Sequence, residues 1–134
     1  MGTGYLAQEN CMVINVLIVD DEERVLRLGK ATLEIDDRYE VTMANDGDED
    51  IAACNAEKPD LIVLDMLMPK KGGVTICREL KGSPAMKDIK IVMLTAMSQE
   101  ADKQTALMAG ADDYMTKPFS PAALLTKVEQ ILGL

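Results

Sequence analysis

The sequence predicts an α/β domain in which a parallel sheet of five strands is doubly wound, with helices on both faces. Three observations predict it. Short, nearly continuous apolar runs recur as INVLIVD (14 to 20), PDLIVLD (59 to 65) and KIVMLTA (90 to 96), as strands covered on both faces require. Helix-length segments alternate strictly with the strands, and right-handed crossovers then place each helix on one face or the other. A chain of 134 residues can bury one real core but leaves no room for a second folded domain.

Taken in order, the first strand ends on Asp20, and a helix predicted over 22 to 35 begins in DDEE, an acidic stretch that suits a helix N-terminus. The second strand, YEVTMAND (39 to 46), alternates and puts Tyr39, Val41 and Met43 on one face. The fifth, DDYMTKP (112 to 118), is the most polar, so these two belong near the sheet edges. Helices are expected over 47 to 57 and 73 to 81, with Gly72 and Gly73 turning into the latter. KGSPAMKD (81 to 88) reads as a loop. Ser98 precedes a helix over 98 to 109 that stops at Gly110. Ser120 and Pro121 open the last, 120 to 132, where Leu124, Val128, Ile131 and Leu132 recur at helical spacing.

Composition narrows the function. Hydrophobic residues make up 48% and aromatics 3%, so the core is aliphatic, with ten methionines as adaptable filler. A formal charge of −9 without a Lys/Arg cluster argues against nucleic acid or an anionic membrane as partner. Histidine is absent, so any imidazole the chemistry needs must come from a partner. Cys11, Cys54 and Cys77 are odd in number and lack C-x-x-C spacing, which reads as reduced packing thiols in a cytoplasm. No apolar run approaches the roughly 20 residues of a membrane span, and the first 13 residues read as an extension or cloning remnant without signal-peptide character.

In an open parallel sheet, ligands bind beyond the carboxyl ends of the strands. Those ends hold Asp20 and Asp21, Asp65, Thr95 and Ala96, and Lys117 with Pro118. Three crowded carboxylates resist ionisation unless a divalent cation sits among them, and oxygen-only ligands point to Mg²⁺ or Mn²⁺. A hard metal with open positions, a lysine and a hydroxyl together form equipment for phosphoryl transfer.

The segments VLIVDDE, LIVLDMLMPKKGG, IVMLTA and DDYMTKPF carry these residues, with gaps of 44 from Asp21 to Asp65, 30 to Thr95 and 22 to Lys117. This arrangement resembles the receiver domain of bacterial response regulators, those of chemotaxis among them, over about residues 14 to 134. The resemblance implies a flavodoxin-like sandwich with strand order 2-1-3-4-5. It implies that Asp65 accepts a phosphoryl group from the phosphohistidine of a sensor histidine kinase or phosphotransfer protein. Asp21 would then hold Mg²⁺ directly, Asp20 mainly through water and Leu67 through its backbone carbonyl. Lys117 would pair with Asp65 or its phosphate, while Thr95 and the Ala96 N–H bind the phosphoryl oxygens. Tyr114 would be the aromatic that turns inward with Thr95, and Lys117–Pro118 would be a cis bond, which only X-Pro adopts cheaply.

Two positions that set the lifetime of the acyl phosphate in that family are Leu67 and Met97 here, and neither offers a polar group to orient an attacking water. Slow self-dephosphorylation is therefore expected. The downstream target or output domain is not encoded in these residues, which fit either a stand-alone receiver or one excised from a longer regulator or hybrid kinase.

Three rivals are weaker. An interaction module that has lost the chemistry would not need Asp20, Asp21, Asp65, Thr95 and Lys117 intact. A haloacid-dehalogenase-type phosphatase wants a second acid at Leu67. A flavin binder needs a hydroxyl-rich loop where DDEE stands, and no Walker-type G-x-x-x-x-G-K-S/T pattern occurs.

Overall fold

The computed structural model describes residues 13–68, 72–96 and 100–134. The expectations for Cys11, Met97, Ser98 and residues 1–12 fall outside those residues. Its elements are β1 (Ile14–Val19), α1 (Glu23–Leu33), β2 (Tyr39–Ala44), α2 (Gly47–Ala56), β3 (Leu61–Asp65), α3 (Gly73–Lys81), β4 (Lys90–Thr95), α4 (Glu100–Met108), β5 (Asp113–Thr116) and α5 (Pro121–Leu132). All the strand pairs are parallel, in the order β2-β1-β3-β4-β5. The two polar strands are the edges, as their sequences predict.

Alternating side chains build two cores. Leu17, Val19, Ile62, Leu64, Ile91 and Met93 face Cys54 of α2, Ile76, Cys77 and Leu80 of α3 and Ala106 of α4. On the other face Val16, Ile18, Val63, Val92 and Leu94 meet Leu26 and Leu33 of α1 and Leu124 and Val128 of α5. Each central strand therefore buries both of its faces, which explains why its sequence is a continuous apolar run rather than an alternating one. The two described cysteines are packing residues, and burial pushes the Cys77 thiol up to about 11.

Local signals account for the ends. Ser120 Oγ accepts the Ala123 N–H at 3.1 Å, Pro121 occupies the first turn, and Gly133 closes α5 in the left-handed region at φ 74°. Gly110, at φ 106°, ends α4 in a conformation that a side chain would resist. Tyr39, Val41 and Met43 alternate onto one face of β2, where Tyr39 and Val41 are buried and Met43, toward the end of this edge strand, is 39% exposed.

Candidate functional site

Four strand ends supply the site. Asp20 follows β1 and its N–H donates to the Ala44 carbonyl at 3.2 Å, Asp65 is the last residue of β3, and Thr95 is the last of β4. Lys117 follows β5, donates its own N–H to the Thr95 carbonyl at 2.7 Å, and precedes the expected cis bond to Pro118. Asp20, Asp65 and Thr95 are 0%, 4% and 3% exposed. The strand ladder fixes where the backbones of these residues stand.

Carboxylate oxygens of Asp20, Asp21 and Asp65 lie within 4.8 Å of one another, with Asp21 the exposed member. Their only nearby cation among the described contacts is Lys117. Its Nζ lies 3.0 Å from Asp20 Oδ2, 3.3 Å from Glu22 Oε1 and 3.5 Å from Asp65 Oδ1. The expected pairing with Asp65 is present, but the closest partner is Asp20. Backbone donors add to the acids: Glu22 N–H reaches Asp20 Oδ1 at 2.9 Å and Leu67 N–H reaches Asp65 Oδ1 at 3.3 Å.

One ammonium does not offset this much buried negative charge. Burial and the neighbouring Asp20 carboxylate push Asp65 up to about 6, against the opposing pull of Lys117 and the Leu67 N–H. Burial also raises Asp20, opposed by the Glu22 N–H and Lys117. For Lys117, burial acts against the charged form but is outweighed by the hydrogen bond to Asp20 and the other carboxylates, and its value rises. A cluster of oxygen ligands whose charge is under-compensated is a fit for a hard divalent cation. Asp20, Asp21 and Asp65 could hold one.

Leu67 is 64% exposed beside the acid, and its backbone N–H, rather than its carbonyl, is the group seen to touch Asp65. Ala96 is exposed and lines a groove of about 370 Å³ with Val25, Leu28, Lys117 and Phe119. Tyr114 is half-buried beside α4, with Lys103 Nζ 5.2 Å from its ring centre. Met97 lies outside the described residues.

Two features escaped the sequence. Glu22 reads there only as part of an acidic helix start, yet it forms no side-chain cap on α1 and reaches Lys117 instead. Gly73 reads as a turn residue, and its reason is sharper: a Cβ there would strike the backbone carbonyl of Asp65. The Gly73 N–H bonds the Met66 carbonyl at 3.0 Å, so α3 starts hard against the strand end that carries the acid. A glycine eight residues after a strand-end acid is the only signal the sequence held.

Comparison with known proteins agrees with this geometry. Residues 16–129 match the family model described as the response regulator receiver domain. The alkaline phosphatase synthesis transcriptional regulatory protein PhoP of Bacillus subtilis is 46% identical over 117 residues, which are 87% of this chain and 48% of PhoP. Response regulator PleD of Caulobacter vibrioides is 38% identical over 120 residues, 90% of this chain and 26% of PleD. The chain thus spans half or less of the length of these relatives. Chemotaxis protein CheY4 of Vibrio cholerae superposes with a TM-score of 0.83 at 30% identity, covering 89% of this chain and 98% of that one.

Proposed function

The chain belongs to the response regulator receiver domain family, and from that premise we propose that Asp65 accepts a phosphoryl group and that the domain acts as a phosphorylation-controlled switch. The donor is a phosphohistidine of a sensor histidine kinase or phosphotransfer protein, since the chain has no histidine of its own. The observation that carries the reading is Asp65 itself. A carboxylate that is 4% exposed, set beside one lysine and two further acids, is costly to keep in a purely structural role.

In the transfer, a carboxylate oxygen of Asp65 forms the new O–P bond while the N–P bond of the donor breaks, and the imidazole nitrogen keeps the electron pair. Asp20, Asp21, Asp65 and the Leu67 carbonyl are the groups that would hold Mg²⁺, or Mn²⁺ in its place. When bound, the ion supplies positive charge against the carboxylates and the phosphoryl oxygens. Lys117 stays within reach of Asp65 and balances the charge of the product. Thr95 and the Ala96 N–H take phosphoryl oxygens, and Tyr114 follows Thr95 so that the α4 and β5 surface reports the charge at Asp65. Leu67 and Met97 orient no water, so the acyl phosphate decays slowly and a phosphatase or back-transfer ends the signal.

Its setting is the cytoplasm, and its outlet is a downstream protein or an output domain. Among the described residues no helix is long and apolar enough to cross a membrane.

Acetyl phosphate or beryllofluoride with Mg²⁺ tests the proposal. Wild type should gain one phosphoryl group by mass, or its fluoride analogue, and Asp65→Asn should gain none. Modification of Asp65→Asn to the wild-type extent, or none of either, removes the reading. A decay of the phosphoryl group within seconds would remove the lifetime claim alone.

A further inference from the structure

An edge strand of a parallel sheet turns every second residue's N–H and C=O outward. In β2 the inward set is identified by Ile14 N–H donating to the Arg38 carbonyl and Asp20 N–H donating to the Ala44 carbonyl. With Ile14 paired to Tyr39 and Val16 to Val41 in register, the outward set is Tyr39, Val41 and Met43. Such a row is a template for another chain, and its segment YEVTMA is rich in residues that favour strands.

Val41, the middle residue of that set, is already occupied. Its N–H donates to Glu34 Oε2 at 3.0 Å, and its carbonyl accepts from Lys30 Nζ at 2.9 Å. Lys30 and Glu34 stand four residues apart at the end of α1 and pair with each other at 3.0 Å. The carboxylate thus presents an acceptor and the ammonium a donor, as a neighbouring strand would. The outward N–H of Tyr39 is also taken, by the Asp36 carbonyl at 3.0 Å. The Val41 N–H, followed by Lys30, holds the Glu34 carboxyl below the usual carboxylate range.

We propose that Lys30 and Glu34 act as a side-chain surrogate for a sixth strand and close the β2 edge against pairing with a second copy of this chain. The second copy is the fitting occupant because two identical edges meet across a two-fold axis as an antiparallel pair centred on one residue, and the clamp sits on the central one. A ladder reaching past Val41 must displace both side chains. The inference is independent of the phosphoryl chemistry, since neither residue touches Asp20, Asp65 or Lys117.

The test is sedimentation of wild type and a Lys30→Ala, Glu34→Ala double variant over a range of concentrations, with amide hydrogen exchange on the same samples. Wild type should remain monomeric. The double variant should gain mass with concentration, and in dilute samples its Val41 amide should exchange about tenfold faster relative to that of Val63 in the central strand. A folded double variant that stays monomeric across the range, or one whose Val41 exchange is unchanged, overturns the proposal. Should the double variant fail to fold, Glu34→Ala alone removes the acceptor of the Val41 N–H and is read by the same two criteria. Phosphoryl acceptance on Asp65 should be retained in either variant, which separates failure here from failure of the proposed function.

Discussion

Two lysine–aspartate pairs stand at opposite ends of the sheet with the same separation and opposite character. At the amino ends of the strands Lys81 Nζ lies 3.0 Å from Asp112 Oδ2, and at the carboxyl ends Lys117 Nζ lies 3.0 Å from Asp20 Oδ2. The first pair is complete in itself. Asp112 Oδ2 also accepts the Ile91 N–H at 2.8 Å, and Lys81 also donates to the Ile89 carbonyl at 2.8 Å and the Lys87 carbonyl at 3.3 Å. The second is overdrawn, with Asp20, Glu22 and Asp65 around one ammonium and Asp21 beside them. Saturated charge holds a fold together, and surplus negative charge leaves a site able to take up a cation.

The sharpest way to break the contrast is Asp65→Asn. It should abolish phosphoryl acceptance completely, as read by mass, and yet make the metal-free protein more stable at pH 7 by about 3 kcal/mol in chemical denaturation. The gain follows from removing an ionised carboxylate that the fold holds at a value raised to about 6. A loss of stability would mean that Asp65 is saturated like Asp112.

The pH dependence of the same group comes next in size. Asp65 binds its proton more tightly folded than unfolded, because its value rises from 3.8 to about 6. Between those values the folded state carries more protons, so stability falls as pH rises through this window and is level above it. In metal-free buffer the stability difference between Asp65→Asn and wild type should therefore be largest near pH 7 and shrink toward pH 4. Saturating Mg²⁺ at pH 7 should stabilise wild type, by about 2.7 kcal/mol at a hundred times the dissociation constant, and the Asn variant less. A difference independent of pH would exclude the raised value.

These contrasts were unevenly legible in the sequence. Asp20, Asp65 and Thr95 could be found because a buried parallel strand is a continuous apolar run, and the residue that ends it stands at the mouth of the sheet. Lys117 and the edge positions of β2 and β5 followed from the same pattern. Lys81 and Asp112 could not be found, because they are 31 residues apart and meet only after two strands and a helix are in place. Glu22 and the Lys30–Glu34 clamp were hidden for another reason. Each is a charged residue on a helix or at its end, where solvent exposure explains the residue type equally well, and only the fold decides what its side chain reaches.

Asp112→Ala probes the saturated end. It strips the Ile91 N–H and Lys81 of their shared acceptor at sites 28% and 20% exposed on the two side chains. The expected cost is about 1–2 kcal/mol in unfolding, with phosphoryl acceptance on Asp65 unchanged. A loss of acceptance at intact stability would show that the two ends are coupled.

The smallest effect belongs to the shortest of the three lysine contacts compared. Lys58 Nζ lies 2.7 Å from Asp88 Oδ1, closer than either sheet-end pair, but the two side chains are 43% and 71% exposed. Water and salt screen such a pair, and ordering two long side chains opposes what attraction remains. Lys58→Ala should therefore leave the thermal midpoint within the scatter of replicate scans, at low and at high ionic strength alike. A salt-dependent drop matching that of Asp112→Ala would show that distance sets the strength of these pairs. Distance does not rank these pairs, since the shortest is expected to matter least and the two at 3.0 Å differ in character. What separates the three lysines is whether a partner group is left buried and unanswered when the charge is removed.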